Sequence, residues 1–291
     1  MKYLVVKGYL GFGDRLETLK MCVKYALDNK LQIFVDWSDA IWTHGNETFY
    51  TYFKLVNMPV LNSLDDIPPD ATYYPNYWNR GNIKNPCSEE LLRKKNELGV
   101  DVGILGPSTP QTADVLVHCS ISSRSLYQDS GFFARVFRVI NPDILSGIRQ
   151  RLTVSPLSRC IGVHARGTDR AKHDIRKEQS IQFMALHMMP FASTPMIAVG
   201  DDAYSIELWK RFYPQTHVFT KLAQVNTNNK GNHLASSSEL KNSKYDLTVE
   251  FLTDFLTLAF CERVLSTFKD SRFAQEARRL HPYVKQIIGN E

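Results

Sequence analysis

The chain has 291 residues, 43% of them hydrophobic and 22% charged, with a formal net charge of +5. These values are typical of a globular protein with two domains, and the charge is too mild to predict a nucleic acid partner. No apolar run approaches the roughly eighteen residues of a membrane span. The five cysteines lack metal-ligand spacing, which indicates reduced core thiols in a cytoplasmic protein.

The first half of the chain, residues 1–150, opens with a predicted β-loop-α-β unit. Such a unit belongs to a parallel sheet with helices on its faces. The predicted elements are a strand at 3–6, a glycine-rich turn, a helix over 15–29, a strand at 31–35, an irregular aromatic-rich stretch at 38–110, a strand at 115–119 and a helical connector over 132–151 that Pro142 breaks.

The second half, residues 151–291, repeats this alternation and predicts a second Rossmann-like domain. A polar stretch at 223–245 is long enough for a functional lid or a disordered loop. The predicted elements are strands at 160–163, 196–199, 217–219 and 263–266, and helices at 205–212, 248–259 and 271–280.

The sequence I-G-V-H-A-R-G-T-D-R at 161–170 is the most informative stretch, because an apolar strand ends there in concentrated charge. The carboxyl ends of strands in an open α/β sheet are where ligands bind. Arg166 is a permanently charged donor suited to phosphate oxygens, and His164 either donates or accepts. Asp169 is placed to hold either of its neighbours, and the alternative interpretation is a loop at the strand end with a solvated salt bridge.

The glycine-rich turn after the first strand reads G-x-x-G-x-G-D-R and includes Gly8, Gly11 and Gly13. Because it opens a helix, its backbone amides are suited to an anionic group. A purely conformational role for the glycines is equally open. The turn is neither a G-x-G-x-x-G fingerprint nor a P-loop.

Two further strand ends carry polar residues. Asp201 and Asp202 follow the strand M-I-A-V-G and suit a metal, a sugar hydroxyl or the N-cap of the next helix. At 254–271, a helix, a strand and a polar turn place the hydroxyls of Thr267 and Ser271 at the edge that also carries Arg166. That pattern suits phosphate binding, and alone it is equally a helix cap.

Asp174 lies in the polar stretch R-A-K-H-D-I-R-K-E, eight residues beyond Arg166. Flanking basic side chains favour its ionised form, so it is a candidate general base towards a hydroxyl. A solvated charge cluster is the alternative interpretation.

In order along the chain, G-F-G-D-R-L, I-G-V-H-A-R-G-T-D-R, V-G-D-D-A-Y-S-I and the stretch from Asp254 to Phe268 resemble motifs of the fucosyltransferase superfamily. That superfamily includes the α-1,6-fucosyltransferases of N-glycan cores, the rhizobial nodulation enzyme and protein O-fucosyltransferases. The resemblance covers the first forty residues and most of 159–280. It implies an α/β GT-B fold with two facing Rossmann-like domains, the C-terminal one holding the donor and the N-terminal one the acceptor.

The resemblance also implies an inverting, metal-independent transfer of a sugar, foremost fucose from GDP-fucose, to a hydroxyl of a glycan acceptor, with no cofactor. Arg166 matches the arginine that binds the donor β-phosphate, His164 a residue of the nucleotide pocket and Asp254 the aspartate that binds guanine. Asp174 falls at the position of the proposed catalytic base and Arg170 at that of a lysine. The remaining expected contacts to the nucleotide sugar are Gly11, Gly13, Arg15, Asp201, Thr267, Phe268 and Ser271.

Departures from the family pattern leave alternatives open. Gly167 stands where the motif has a second arginine, which removes a charge from the pyrophosphate subsite. Another donor, such as UDP-xylose or a second GDP-deoxyhexose, or a non-catalytic nucleotide- or carbohydrate-binding protein, fits the same residues. A metal-dependent transferase relying on Asp201 and Asp202 is a further alternative. The missing stem and membrane anchor of Golgi enzymes predicts a cytoplasmic bacterial or viral enzyme, or a soluble form.

Overall fold

The computed structural model describes residues 2–119, 129–166, 174–200, 203–222, 235–268 and 270–289, without the side chains of 174–177. The chain divides into two compact units, Met1–Val139 and Ile140–Glu291. The sequence-based boundary between residues 150 and 151 falls inside a helix of the second unit. Within the described ranges, no helix has the length and apolar character needed to cross a membrane.

The N-terminal unit is built on a four-stranded parallel sheet of order β2-β1-β5-β4. The same unit also contains a separate antiparallel pair of strands, β3 with β6. Its elements are β1 (Tyr3–Lys7), α1 (Phe12–Asp28), β2 (Gln32–Asp36), α2 (Phe49–Tyr52), β3 (Phe53–Leu55), β4 (Tyr73–Tyr74), α3 (Glu89–Arg93), α4 (Lys95–Leu98), β5 (Val115–Cys119), α5 (Ser130–Val136) and β6 (Phe137–Val139).

The first β-α-β unit forms as the sequence predicts. Strand β1 pairs in parallel with β2, and its last four residues are buried because the sheet is covered on both faces. Three aromatic residues of the stretch 38–110, Trp42, Phe49 and Phe53, are buried and pack with Phe12 and Trp37, with ring centroids 4.9–6.4 Å apart. Aromatic packing of this kind stabilises a unit whose connections are long.

The helical connector that the sequence predicts over 132–151 is wrong in one respect. It is two helices with the strand β6 between them, and β6 pairs with β3 from far earlier in the chain. Pro142 does not break a helix but begins one, because its missing N–H is tolerated at the first helical position. The Asn141 side chain caps that helix by accepting from the Asp143 and Ile144 amides at 3.1 and 3.2 Å.

The C-terminal unit contains a second four-stranded parallel sheet, of order β10-β7-β8-β9. Its elements are α6 (Pro142–Val154), β7 (Ile161–Ala165), α7 (Asp174–Met188), β8 (Met196–Gly200), α8 (Ala203–Phe212), β9 (His217–Val218), α9 (Lys244–Phe260), β10 (Arg263–Ser266), α10 (Arg272–Leu280) and α11 (Val284–Ile287).

Helices cover both faces of this second sheet. Ile161 and Val163 of β7 join a buried cluster with α7 and α8. On the opposite face, a Cβ at Gly162 would lie 2.8 Å from Leu258 of α9, so helix and strand are in close contact there. Helix α9 begins at Lys244 rather than near Thr248 as the sequence predicts, and the Ser243 hydroxyl caps it by accepting from the Asp246 amide.

Candidate functional site

The C-terminal sheet changes direction of winding between β7 and β10. From β7 the chain passes through α7 to β8 on one side, and it returns through α9 to β10 on the other side of β7. At such a switch point the loops after the two adjacent strands, here β7 and β10, diverge and leave a crevice at the carboxyl ends of these strands. The residues in register at this edge are His164 and Ser266.

His164 is held in place by hydroxyl groups. Its Nδ1 lies 3.0 Å from Ser271 Oγ and 3.4 Å from Ser266 Oγ, and its ring centroid lies 4.9 Å from that of Phe273. The side chain is buried, with 7% exposed. The sequence predicts a residue lining a nucleotide pocket, and the structure adds that two serines fix the orientation of its ring.

Thr267 joins the ends of the two strands. Its hydroxyl accepts from the Arg166 amide at 2.9 Å, and its own amide donates to the His164 carbonyl at 3.1 Å. Its carbonyl accepts a hydrogen bond from the Ser180 hydroxyl of α7. Thr267 therefore fixes the backbone from which the partly buried Arg166 side chain extends.

Helix α10 starts at Arg272, five residues after Thr267. The Ser271 hydroxyl caps it by accepting from the Ala274 amide at 3.4 Å, and the Ser271 amide donates to the Phe268 carbonyl at 3.1 Å. The first amides of a helix carry a partial positive charge that favours anions. Arg166, Thr267 and this helix N-terminus thus lie at one edge of the sheet.

Asp254 of α9 lies at the centre of a buried polar network. One carboxylate oxygen pairs with Arg151 Nη1 of α6 at 2.5 Å, and the other accepts from the Thr220 hydroxyl at 2.6 Å. Arg151 also donates to Thr257 Oγ1 at 2.9 Å, and its guanidinium lies 4.9 Å from the centroid of the Phe219 ring. Burial raises the pKa of Asp254 to about 6, although the Arg151 charge opposes that shift.

The network reaches the end of β8. The Gly200 amide donates to Thr220 Oγ1 at 3.2 Å, and Gly200 pairs with Ala165, the residue before Arg166. A Cβ at Gly200 would lie only 2.2 Å from the Ala165 carbonyl oxygen, so this position requires glycine. Asp254 and Arg166 are therefore connected through two adjacent strand ends.

Arg15, in the N-terminal unit, forms contacts that the sequence does not predict. Its guanidinium makes two hydrogen bonds to Asp39, at 2.6 and 2.9 Å, and Nε donates to the Leu10 carbonyl at 2.6 Å. The centroids of the Trp37 and Trp42 rings each lie 5.3 Å from the Arg15 guanidinium carbon, and the Arg15 side chain is 0% exposed. These contacts favour a structural role for Arg15 in place of the direct contact to a nucleotide sugar that the motif implies.

The glycines of the same turn differ from one another. A Cβ at Gly8 would lie 2.0 Å from Arg15 Nη1, so glycine is required there by packing. Gly11 precedes α1 with an ordinary extended backbone, and a Cβ there would meet only the Asp14 carboxylate at 3.7 Å. Gly13 lies buried in the first turn of α1. Packing therefore explains Gly8 and leaves the role of Gly11 in the turn open.

The structure brings together six of the residues that the sequence singles out, and it leaves others untested. Arg170 and Asp201 lie outside the described residues, and Asp174 begins α7 without a described side chain. Arg151 and Thr220 were missed by sequence reasoning. The residues assembled at the edge of the C-terminal sheet are His164, Arg166, Asp254, Thr267, Phe268 and Ser271.

Comparisons with known proteins identify the fold. No family model and no curated protein sequence matches the chain. Among solved structures, NodZ fucosyltransferase from Bradyrhizobium is similar with a TM-score of 0.67 and 16% identity, covering 99% of this chain and 94% of that one. NodZ α-1,6-fucosyltransferase soaked with GDP-fucose is similar with a TM-score of 0.67 and 17% identity over 99% and 93% of the two chains.

POFUT1 in its apo form is also similar, with a TM-score of 0.59, 10% identity and coverage of 97% of this chain and 95% of that chain. At these identities the likeness concerns the fold, and it extends over nearly the whole chain, including residues 40–150, which the motifs do not cover. The predicted fold class is confirmed. The chain has the α/β fold of GT-B fucosyltransferases such as NodZ and POFUT1.

Proposed function

We propose that the chain is an inverting glycosyltransferase that moves a sugar, most readily fucose from GDP-fucose, to a hydroxyl of a glycan acceptor. The observation that carries this proposal is the cluster of Arg166, Thr267 and the α10 N-terminus at the switch point of the C-terminal sheet. Structures of the same fold were obtained with GDP-fucose or GDP. In this proposal the C-terminal unit holds the donor and the N-terminal unit the acceptor.

The chemistry of such a transfer requires stabilisation of a departing nucleoside diphosphate. As the bond between the sugar C1 and the β-phosphate oxygen breaks, negative charge develops on the phosphate. Arg166 supplies a permanent positive charge, and the α10 amides add oriented donors. Because Thr267 fixes the Arg166 backbone and Ser271 caps α10, these groups are already in position before the reaction.

Inversion follows when the acceptor hydroxyl attacks C1 from the face opposite the leaving group. A base must take the hydroxyl proton, and Asp174, the first residue of α7, is our candidate. The reaction as proposed needs no metal ion. We expect full activity in excess EDTA, and loss of activity that Mg²⁺ or Mn²⁺ restores would instead support a metal-dependent enzyme using Asp201 and Asp202.

The test of the proposal is Arg166→Ala, assayed by GDP release from GDP-fucose with a panel of glycan acceptors. Loss of the positive charge that stabilises the leaving group should lower kcat by about 100-fold or more. Arg149→Ala, an exposed arginine on α6, is the matched control and should keep the wild-type rate. A near-normal rate for Arg166→Ala would exclude the assigned role.

A second candidate follows from Gly167, which stands where the family motif has an arginine. The site would then use another nucleotide sugar, such as UDP-xylose or a second GDP-deoxyhexose, or bind a nucleotide or carbohydrate without catalysis. Calorimetric titration with GDP and UDP distinguishes the donors. Slow hydrolysis of a donor in the absence of acceptor would contradict a purely binding role.

A further inference from the structure

Arg151, which lies outside the expected motifs, forms a buried ion pair with the proposed base-recognition carboxylate of Asp254. It lies on α6, 103 residues before Asp254 in the chain, and the two side chains are 11% and 6% exposed. A buried carboxylate that loses its cationic partner is strongly disfavoured as an ion. The state of Asp254 therefore depends on Arg151.

The same carboxylate keeps acceptor capacity for a ligand. An ionised carboxylate has about four acceptor positions, and Asp254 uses one on each oxygen, towards Arg151 and Thr220. Guanine offers two adjacent N–H donors on its Watson–Crick edge, which match the two oxygens of a carboxylate. Uracil offers one N–H between two carbonyl groups, which a carboxylate repels.

We propose that Arg151 is a positioning residue for base recognition, holding Asp254 as an oriented carboxylate so that the site selects a guanine over a uracil nucleotide. Thr220 assists by fixing the second oxygen, and its own hydroxyl is oriented by the Gly200 amide. This inference rests on the proposed function, and it takes Asp254, which the family resemblance assigns to guanine, as the contact to the donor base.

The protonation of Asp254 gives the proposal a measurable signature. Its pKa of about 6 means that the carboxylate is protonated in mildly acidic solution, where it can no longer accept two guanine donors. Glu250 of α9 raises this pKa and Arg151 lowers it. Titratable or charged side chains on neighbouring elements have partners other than Asp254: His164 with Ser271, Glu276 with Arg279, His281 with the Ala259 carbonyl, Arg278 with the Val264 carbonyl, Asp143 with Tyr245 and Arg263 with the Phe191 ring.

The experiment measures the affinity ratio of GDP to UDP from pH 5 to pH 9 by calorimetry. Both nucleotides share the diphosphate and the groups near it, so the effects of their titration on affinity cancel in the ratio. In the wild type we expect a ratio of about 10 to 100 at pH 7.5, the scale of hydrogen bonds to a charged group, and a fall as the pH drops through about 6.

Arg151→Gln should reduce the ratio at pH 7.5 several-fold. It should also move the midpoint of the pH dependence to higher pH, because the pKa of Asp254 rises when the Arg151 charge is removed. Arg149→Gln, on the same helix but exposed, is the matched control and should match the wild type. Thr220→Val, which keeps the side-chain shape, should lower the ratio in the same direction and serves where Arg151→Gln does not fold.

Each result decides between the two proposals. A wild type that prefers GDP, combined with unchanged ratios and midpoints in folded Arg151→Gln and Thr220→Val, overturns the role of Arg151 and leaves the proposed function intact. A wild type that binds neither nucleotide, or both equally, overturns the guanine assignment and this inference together.

Discussion

The buried ion pair of Arg15 and Asp39 gives the sharpest stability prediction. Both side chains are 0% exposed, and each carboxylate oxygen accepts from a different guanidinium nitrogen. Asp39→Asn keeps the shape but removes the negative charge, leaving a guanidinium buried between Trp37 and Trp42. Removing one partner of a buried pair costs about 3–5 kcal/mol of unfolding free energy.

The assay is urea unfolding followed by tryptophan fluorescence. Three of the four tryptophans belong to the N-terminal unit, and two of them contact Arg15, so the signal reports mainly on this unit. With a slope of about 2 kcal/mol per molar urea, the predicted loss moves the transition midpoint down by about 1.5–2.5 M.

The matched control is Asp28→Asn, which breaks the exposed pair of Lys24 and Asp28 on α1. Surface pairs of this kind contribute about 0.5 kcal/mol or less, so its midpoint should stay close to the wild type. The double variant Arg15→Met with Asp39→Leu removes both charges and should be more stable than Asp39→Asn alone. Equal midpoints for Asp39→Asn and Asp28→Asn would refute the reasoning.

Two other predictions concern packing. Gly8→Ala should destabilise the N-terminal unit by about 2 kcal/mol or more, since its Cβ would lie 2.0 Å from the ion-paired Arg15 guanidinium, whereas Gly11→Ala should change urea stability by about 1 kcal/mol or less. Similar midpoints for the two variants would contradict this. All five cysteines are buried as free thiols. A hydrogen bond with Cys87, together with burial, raises the pKa of the Cys119 thiol, and burial raises that of Cys22 and Cys261. Ellman's reagent should therefore react with the cysteines only after unfolding, and rapid reaction of the native protein would be inconsistent with their burial.

Seven of the eight strands of the two four-stranded sheets, all but β4, could be predicted because each is a short apolar run bounded by polar or glycine residues. Helix α7 could not, because its buried residues Ile181, Ala185 and Met188 share the helix with exposed Phe183 and Leu186. Apolar residues then occur on more than one face, and the helical period is lost. The short elements of 38–110 could not be predicted for a different reason, since they are held by aromatic contacts between residues far apart in the chain.

The proposed phosphate side of the candidate site could be predicted because His164, Arg166 and Thr267 directly follow or end apolar strands. The proposed base side could not, because the partners of Asp254 come from α6 and from the residues that follow β9. One signal was present, however. Ile144, Ile148 and Arg151 are the buried positions of α6 at helical spacing, so an arginine occupies a stripe that is otherwise apolar. A cation at such a position requires a buried partner.

The two sides of the site are joined at Gly200, and this junction yields a last prediction. Gly200→Ala would place a Cβ 2.2 Å from the Ala165 carbonyl oxygen, which is backbone and cannot turn away. The ends of β7 and β8 must then separate, and both Arg166 and the Thr220 hydroxyl are displaced. Gly200→Ala should therefore weaken GDP and UDP by the same factor, about tenfold or more, whereas Arg151→Gln affects mainly GDP. Gly106→Ala, whose Cβ meets no atom within 4 Å, is the control. Wild-type affinity of Gly200→Ala for both nucleotides would show that the strand junction does not form part of the donor site.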